Sequence, residues 1–319
     1  MVMIDLITGF LGSGKTTFLK KYAEYLMDQG LHIGILENDF GAINVDMLML
    51  HELRGDQCEL EMIAGGCDAE SHRRRFRTKL ISMRMCGYDR VLVEPSGIYD
   101  VDEFFDVLRE EPLDQWYEIG NVIAILDARL ENNLSPQADY LLASEAANAG
   151  KVILSHADAA TRKQCEDTVA HLNRALEQLR CDRRIDPEKD ILQTNLTDLT
   201  KEDLEEVSKC GYRLESYRKM DLENDQTFDS LFFMEEKITS EALERAVPRL
   251  FADKSCGEVF RIKGFVKNKD GQWMELNATH DSRTLEPIAV GQEVLIVIGE
   301  HLQEDKIREI LKEEEKCQS

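Results

Sequence analysis

Residues Gly9 to Thr16 have the types and the spacing of a phosphate-binding loop. They read Gly-Phe-Leu-Gly-Ser-Gly-Lys-Thr, a full match to the pattern G-x-x-x-x-G-K-[ST]. The glycines allow main-chain N–H groups to turn toward an anion, and a helix that starts at the lysine adds the positive end of its dipole. Lys15 can contact β- and γ-phosphates, and the Thr16 hydroxyl can ligate Mg²⁺. The predicted nucleotide-binding residues of this region are Gly9, Gly12, Ser13, Gly14, Lys15, Thr16 and Thr17.

A second candidate group is a carboxylate at the end of an apolar run. Val91-Leu92-Val93 leads directly into Glu94-Pro95-Ser96-Gly97. Because strand ends beside a phosphate loop face the nucleotide in a parallel sheet, Glu94 is predicted to hold Mg²⁺, through a water if not directly, or to orient the attacking water. Gly97 is predicted to let a main-chain N–H approach the γ-phosphate. The alternative for Glu94 is a strand-terminal carboxylate that caps a nearby helix.

Glu37-Asn38-Asp39-Phe40-Gly41 also follows an apolar run and predicts a switch segment. Such segments become ordered when γ-phosphate and Mg²⁺ are present and relax after hydrolysis. Glu37 is therefore a second candidate for orienting the water. The alternative is an Asn-Asp-Gly turn between a strand and a helix.

The residues Ser155-His156-Ala157-Asp158 follow another apolar run, at the place where many GTPases have Asn-Lys-x-Asp. In that motif the aspartate pairs with N1–H and N2–H of guanine, and the lysine stem packs on the base. Ser155 and Asp158 are the predicted base-site residues. Because serine and histidine replace the asparagine and lysine, ATP remains an alternative to GTP, and Asp158 could instead be an acid near a helix N-terminus.

The elements that must position these residues alternate between apolar runs and segments with helical spacing. This pattern predicts an α/β fold with a parallel sheet and helices on both faces. The predicted strands are residues 4–8, 32–36, 90–93, 121–126, 151–154 and 190–193, and the clearest helices are 16–29 and 161–180. We predict this P-loop domain over residues 1–222.

A polar connector at 197–226 precedes a different pattern. Strands are predicted at 228–234, 258–266, 272–280 and 293–298, with helices at 240–253 and 303–312. Asn268-Lys269-Asp270-Gly271 indicates a turn between antiparallel strands. We therefore predict a smaller α+β domain over residues 223–319.

The charge balance favours some partners over others. The chain has 62 acidic and 39 basic residues among 319, a formal net charge of −23. Such a surface repels nucleic acid and anionic lipid, so neither is an expected partner. Eight scattered cysteines without a dense disulfide pattern, and no evident signal peptide or membrane span, favour a cytoplasmic protein.

Taken in order, these motifs resemble the CobW-type GTPases, related to the urease and hydrogenase accessory GTPases. The resembling segments are 8–17, 37–41, Gly65-Gly66-Cys67, 94–97 and 154–158, and residues 261–265 resemble the family's C-terminal domain. The resemblance implies a GTP-hydrolysing switch in metal or metallocofactor delivery, or in maturation of a client metalloenzyme or corrinoid protein. It also implies GTP and GDP as ligands, Mg²⁺ as cofactor, and a homodimer.

The sequence departs from the family at its Cys-x-Cys-Cys motif. Gly65-Gly66-Cys67-Asp68-Ala69 keeps the first cysteine alone, so this segment cannot supply a three-thiolate site. Cys67, Glu70 and His72 could form a mixed site for cargo Zn²⁺, Co²⁺ or Ni²⁺. Alternatively, Cys67 is a small buried residue and the other two are solvated. Two further functions stay open: an assembly switch that binds no metal cargo itself, and a small-molecule kinase.

Overall fold

The structure is a computed structural model. It describes residues 1–10, 12–39, 50–64, 69–95, 101–130, 134–219, 228–234, 238–280, 283–288, 291 and 293–316. Contacts divide the chain into two compact units, Met1–Met220 and Asp221–Ser319. The domain boundary predicted at residue 222 falls within 220–227, outside the described residues, so it stays a prediction.

Seven parallel strands of the described chain form the sheet of the first unit. They are β1 Val2–Gly9, β2 Ile33–Asp39, β3 Cys58–Ala64, β4 Arg90–Pro95, β5 Tyr117–Asp127, β6 Lys151–Ser155 and β7 Ile191–Gln193. Their order is β3-β2-β4-β1-β5-β6-β7, which confirms the predicted parallel α/β sheet with helices. The central position of β1 places the loop that follows it next to the ends of β4 and β5.

The helices between these strands include α1, which starts directly after the phosphate loop. They are α1 Lys15–Asp28, α2 Ala69–Arg84, α3 Val101–Leu108, α4 Leu113–Trp116, α5 Pro136–Ala147, α6 Arg162–Gln178 and α7 Lys201–Val207. Helix α1 buries Phe18, Leu19 and Tyr22 against the sheet, as the helical spacing of its apolar residues predicts. Burial of a large apolar side chain contributes about 1.5–3 kcal/mol to stability, so this face holds α1 against the sheet directly after the loop.

The start of α6 is set by a capping box. The Thr161 hydroxyl accepts a hydrogen bond from the Gln164 main-chain N–H, and the Gln164 side chain accepts one from the Thr161 N–H. Two of the N–H groups that a helix start leaves without partners are thereby satisfied. Thr161 is therefore the N-cap of α6, at the start of the helix predicted from residue 161.

The second unit contains an antiparallel sheet accompanied by two helices. Its described elements are β8 Phe228–Met234, α8 Ser240–Ala252, β9 Glu258–Lys267, β10 Trp273–Thr279, β11 Arg283–Pro287, β12 Val294–Glu300 and α9 Glu304–Lys316. The strands lie in the order β11-β10-β9-β12-β8. Strands β9 and β10 form the predicted hairpin around Asn268–Gly271. Apolar side chains of both helices and of the sheet form one core. The predicted α+β fold is confirmed.

In the described part of the chain, no helix is both long enough and apolar enough to span a bilayer.

Candidate nucleotide site

The loop between β1 and α1 depends on glycine at its two ends. Gly9 has φ +146°, and a Cβ added there would lie 2.1 Å from the main-chain oxygen of Ile125. Gly14, the N-cap of α1, has φ +92°, and its added Cβ would lie 2.6 Å from Leu196 Cδ1. Side chains rarely adopt such φ values. At Gly9 the main chain of β5 also leaves no space for a side chain, whereas at Gly14 the neighbour is the movable end of Leu196, so the φ value is the reason for glycine there.

The N-terminus of α1 has the features of an anion site. Gly14 provides no side-chain cap, and the first turn contains no acidic residue. Lys15 is largely buried, and its ammonium donates a hydrogen bond to the carbonyl oxygen of Gly9 at 2.9 Å. The lysine is thus folded back over the loop, where the helix dipole and its own charge both favour a bound anion.

Glu94 lies beside the residue that follows this lysine. The Thr16 hydroxyl donates a hydrogen bond to Glu94 Oε1 at 2.8 Å, which links α1 to the end of β4. Both are hard oxygen donors, the type that Mg²⁺ prefers, and Mg²⁺ sites commonly use one or two protein ligands plus waters and phosphates. The residues present therefore fit a magnesium ion.

Glu37 lies opposite Glu94 in the register of β2 and β4. Residues paired in this way point to the same side of a sheet. The two side chains are 2% and 4% exposed, respectively. The register therefore places a second buried carboxylate beside the predicted magnesium ligand.

A charged cluster lies at the end of β5, beside the predicted base site. The carboxylate of Asp127 accepts hydrogen bonds from Arg129 Nε at 3.1 Å and Nη2 at 3.0 Å, and contacts His156 Nδ1 at 2.9 Å. Burial alone would raise the pKa of Asp127, but the hydrogen bonds from His156 and Arg129 outweigh it and hold that pKa well below its usual range. Asp127 therefore stays ionised and holds the imidazole of His156 in place. The main chain of His156 has φ +52°, in the left-handed region.

The two predicted base-site residues differ in their surroundings. Asp158 is exposed, and the side-chain amide of Asn195 lies 3.5 Å from its carboxylate, at the long end of hydrogen-bond distances. Ser155 is buried, and its hydroxyl donates to the carbonyl oxygen of Leu126 at 3.1 Å. Asp158 is thus accessible to a base, whereas the Ser155 side chain is held inside the sheet, at the end of β6.

Glu70 and His72, two of the three candidate cargo-metal residues, do not come together. The Glu70 side chain is 83% exposed and pairs with Arg74, while His72 is fully buried with Nδ1 3.3 Å from Glu103 Oε1. Residues two apart on a helix lie on nearly opposite sides, which is why one faces water and the other the interior. Within the described ranges, no three His, Cys, Asp or Glu side chains are grouped as a metal site.

Several predicted residues lie outside the described part of the chain: Cys67, Gly97 and the switch residues Phe40 and Gly41. Their predicted roles stay predictions.

Three residues near the site are absent from the sequence predictions: Asp127, Arg129 and Asn195. Asp127 ends an apolar strand just as Glu94 does, so the same rule could have found it. Asn195 lies in the short loop after β7, and its neighbour Leu196 contacts the phosphate loop at Gly14. No motif in the sequence marks that loop.

Two family models match the chain. The one described as CobW/HypB/UreG, nucleotide-binding domain, matches residues 3–185, and the cobalamin synthesis protein cobW C-terminal domain matches residues 229–315.

Among individual proteins, zinc chaperone YjiA of Escherichia coli is 28% identical over 185 residues, which are 54% of this chain and 55% of the relative. Zinc chaperone YeiR of the same organism is 31% identical over 131 residues, 41% of this chain and 39% of the relative. The zinc-regulated GTPase metalloprotein activator 1 of Dictyostelium discoideum is 22% identical over 238 residues, 62% and 49% of the two chains. The chain thus spans about half the length of the curated relatives it matches or less.

Among solved structures, Zn(II)-bound YjiA GTPase from E. coli has 18% identity, covers 98% of both chains and has a TM-score of 0.37. HypB from Helicobacter pylori in complex with nickel has 18% identity, covers 65% of this chain and 84% of its own, and has a TM-score of 0.38.

Proposed function

The chain belongs to the CobW/HypB/UreG family of nucleotide-binding proteins, and we propose that it binds and hydrolyses GTP as a switch in metal delivery. The observation that carries this proposal is the 2.8 Å contact between the Thr16 hydroxyl and the Glu94 carboxylate. The two residues are 78 positions apart, and their meeting directly after Lys15 supports a phosphate site with adjoining magnesium ligands.

In this proposal the main-chain N–H groups of the loop and of the first turn of α1 hold the phosphates. Lys15 leaves the carbonyl oxygen of Gly9 and contacts the β- and γ-phosphates, where its charge offsets the charge that develops during transfer. Thr16 and Glu94 would hold Mg²⁺, which when bound would neutralise part of the charge of the phosphate oxygens. Glu37 or Glu94 orients the water for in-line attack. Catalysis of this kind depends mainly on positioning and charge neutralisation.

A prediction separates the two carboxylates. Glu94→Gln should raise the Mg²⁺ concentration needed for half-maximal hydrolysis by about tenfold or more, because an amide oxygen is a weaker ligand for a hard cation than a carboxylate. Glu37→Gln is the matched control, since it removes the neighbouring charge in the same register, and it should leave the Mg²⁺ requirement unchanged. Steady-state phosphate release at varied Mg²⁺ measures both; the reverse pattern would move the magnesium ligand to Glu37.

The base proposed is guanine. Asp158 is accessible and can accept hydrogen bonds from N1–H and N2–H of the base, which adenine does not offer together. His156, fixed by Asp127, occupies the position of the usual lysine and presents a planar ring to pack against the base. Asn195, in the loop after β7, lies beside Asp158 and limits the movement of its carboxylate.

The cargo proposed is Zn²⁺, with Co²⁺ or Ni²⁺ as other metals, and the partner proposed is a client metalloenzyme or corrinoid protein in the cytoplasm. The support is that relatives bear the names zinc chaperone and metalloprotein activator. A homodimer formed with nucleotide is part of the same proposal. The second candidate, a switch without a cargo site of its own, is favoured by the loss of two cysteines from the Cys-x-Cys-Cys motif.

Metal titration distinguishes these two candidates. If the chain carries its own cargo, Cys67→Ala should bind Zn²⁺ at least about tenfold more weakly than wild type. Loss of a group that only supports a metal ligand already lowers metal affinity about 10–100-fold, and loss of the ligand itself should cost at least as much. Cys86→Ala removes an exposed free thiol and should bind like wild type. Identical titrations for Cys67→Ala and wild type would show that Cys67 is not a ligand and would favour the switch without cargo.

A further inference from the structure

Tyr22 lies on the face of α1 that packs against the sheet, and the proposed hydrolysis does not use it. The residue is 0% exposed, and its ring stacks on that of Phe18 with the centroids 5.6 Å apart. Its hydroxyl donates a hydrogen bond to Asp5 Oδ2 at 2.8 Å and accepts one from Arg90 Nη1 at 3.1 Å. A phenylalanine would fill the same space without burying a polar group, so the hydroxyl at this position requires an explanation.

Asp5, which accepts that hydrogen bond, is held in place by the neighbouring strands. The register of β1 and β5 shifts beside Asp5, which leaves an extra residue in β5. Within this bulge the main-chain N–H of Asn121 donates to Asp5 Oδ1 at 2.9 Å, and the guanidinium of Arg90 on β4 donates to Oδ2 at 3.0 Å. The carboxylate is thus fixed by the main chain of β5 and by a counter-charge on β4. The Tyr22 hydroxyl is therefore bonded to groups that are themselves held in position.

Polar contacts join α1 to β4 at two places along the helix. At its start the Thr16 hydroxyl is bonded to Glu94, and further along the Tyr22 hydroxyl is bonded to Arg90. The helix spans about 9 Å between Thr16 and Tyr22, and the strand spans about 13 Å between Arg90 and Glu94. Apolar burial has no preferred direction, whereas a hydrogen bond weakens steeply when its geometry changes. The contact at Tyr22 therefore fixes how far α1 lies along β4.

We propose that Tyr22 is a positioning residue of the magnesium site, whose hydroxyl aligns α1 with β4 so that Thr16 and Glu94 can ligate the same ion. This inference rests on the proposed function. The loop and the first turn of α1, which would hold the phosphates, belong to one continuous segment, so phosphate binding does not require that alignment. Ligation of Mg²⁺ requires it, because Thr16 belongs to the helix and Glu94 to the strand. Loss of the Tyr22 hydroxyl should therefore weaken the magnesium site and leave phosphate binding intact.

The test compares wild type with Tyr22→Phe, which removes the hydroxyl and keeps the ring. Calorimetry measures the affinity for a non-hydrolysable GTP analogue twice, once with excess Mg²⁺ and once with a chelator in its place. The ratio of the two affinities reports the magnesium site separately from the phosphate loop. Tyr22→Phe should bind the analogue like wild type in the chelator. Its affinity ratio should fall roughly tenfold, the lower end of the loss seen when a group that orients a metal ligand is removed.

Tyr25→Phe is the matched control, because it makes the same chemical change on the same helix. Tyr25 packs partly buried against the same core, and within the described ranges its hydroxyl makes no hydrogen bond. Its affinity ratio should equal that of wild type. A double variant, Tyr22→Phe with Glu94→Gln, tests the route of the effect. If Tyr22 acts through the alignment of Thr16 with Glu94, the affinity ratio of the double variant should fall no further than that of Glu94→Gln alone.

An equal affinity ratio for Tyr22→Phe and wild type, or additive losses in the double variant, would overturn this inference while leaving nucleotide binding intact. If wild type bound no nucleotide, or bound it equally with and without Mg²⁺, the proposed function would be contradicted together with this inference. Should Tyr22→Phe fail to fold, Arg90→Lys replaces it, since lysine keeps the positive charge beside Asp5 but has a single ammonium in place of the forked guanidinium. The same fall in the affinity ratio is expected, and an unchanged ratio in that variant would overturn the inference.

Discussion

Replacing Lys15 with alanine is expected to reduce GTP hydrolysis at least about 10²–10³-fold, the range seen when one preorganised group that stabilises transition-state charge is removed. The reason is positional: Lys15 is buried at the start of α1, and its ammonium already lies over the loop at 2.9 Å from the carbonyl oxygen of Gly9. No other cation is held in that place within the described residues of the loop and of the first turn of α1. Phosphate release from GTP measures the effect.

The matched control for this variant is Lys20→Ala. Lys20 is on the same helix, but it pairs with Glu52 at the surface, where an ion pair contributes little to stability. Lys20→Ala should hydrolyse GTP like wild type, and both variants should unfold cooperatively on heating. Turnover by Lys15→Ala at the wild-type rate would refute the proposed mechanism.

The second large effect is expected at Asp158. Asp158→Asn should weaken GTP binding by at least about 10²-fold, because a site that reads a base through hydrogen bonds strongly rejects a base that no longer matches. The amide nitrogen of asparagine can instead donate to the O2 carbonyl of xanthine, so the variant should prefer XTP to GTP. Competition between the two nucleotides, measured by equilibrium binding, tests both parts.

Asp182→Asn provides the control for this exchange, since it makes the same chemical change at an exposed position of the first unit. It should retain the preference for GTP. If Asp158→Asn also retained that preference, the base would be read elsewhere, and if wild type preferred ATP, the assignment of guanine would be wrong.

The strands inside each sheet were predictable from the sequence, whereas two of the four edge strands, β3 and β11, were not. The run Val91-Leu92-Val93 is apolar because β4 lies inside the sheet. Strand β3 (Cys58–Ala64) is at an edge and alternates glutamates with apolar residues, and β11 (Arg283–Pro287) is an edge strand with mostly exposed side chains. Strand β11 has no apolar pattern of its own, whereas β3 carries the alternation of a half-buried strand, a signal that the predictions from the sequence left out.

The phosphate loop and Glu94 were predictable because their positions follow from local rules. The loop has a fixed spacing, and a carboxylate that ends a buried strand next to it has few other places to point. The contact between His156 and Asp127 joins residues 29 positions apart and depends on the alignment of β5 and β6.

The measurement that tests the central claim most directly is a calorimetric titration of the purified protein with a non-hydrolysable GTP analogue in the presence of Mg²⁺. We predict saturable binding of one nucleotide per chain to wild type, and its loss or strong weakening in Lys15→Ala. If neither guanine nor adenine triphosphates produced binding heat with wild type, the loop from Gly9 to Thr16 would not be a nucleotide site, and the proposed function would be contradicted.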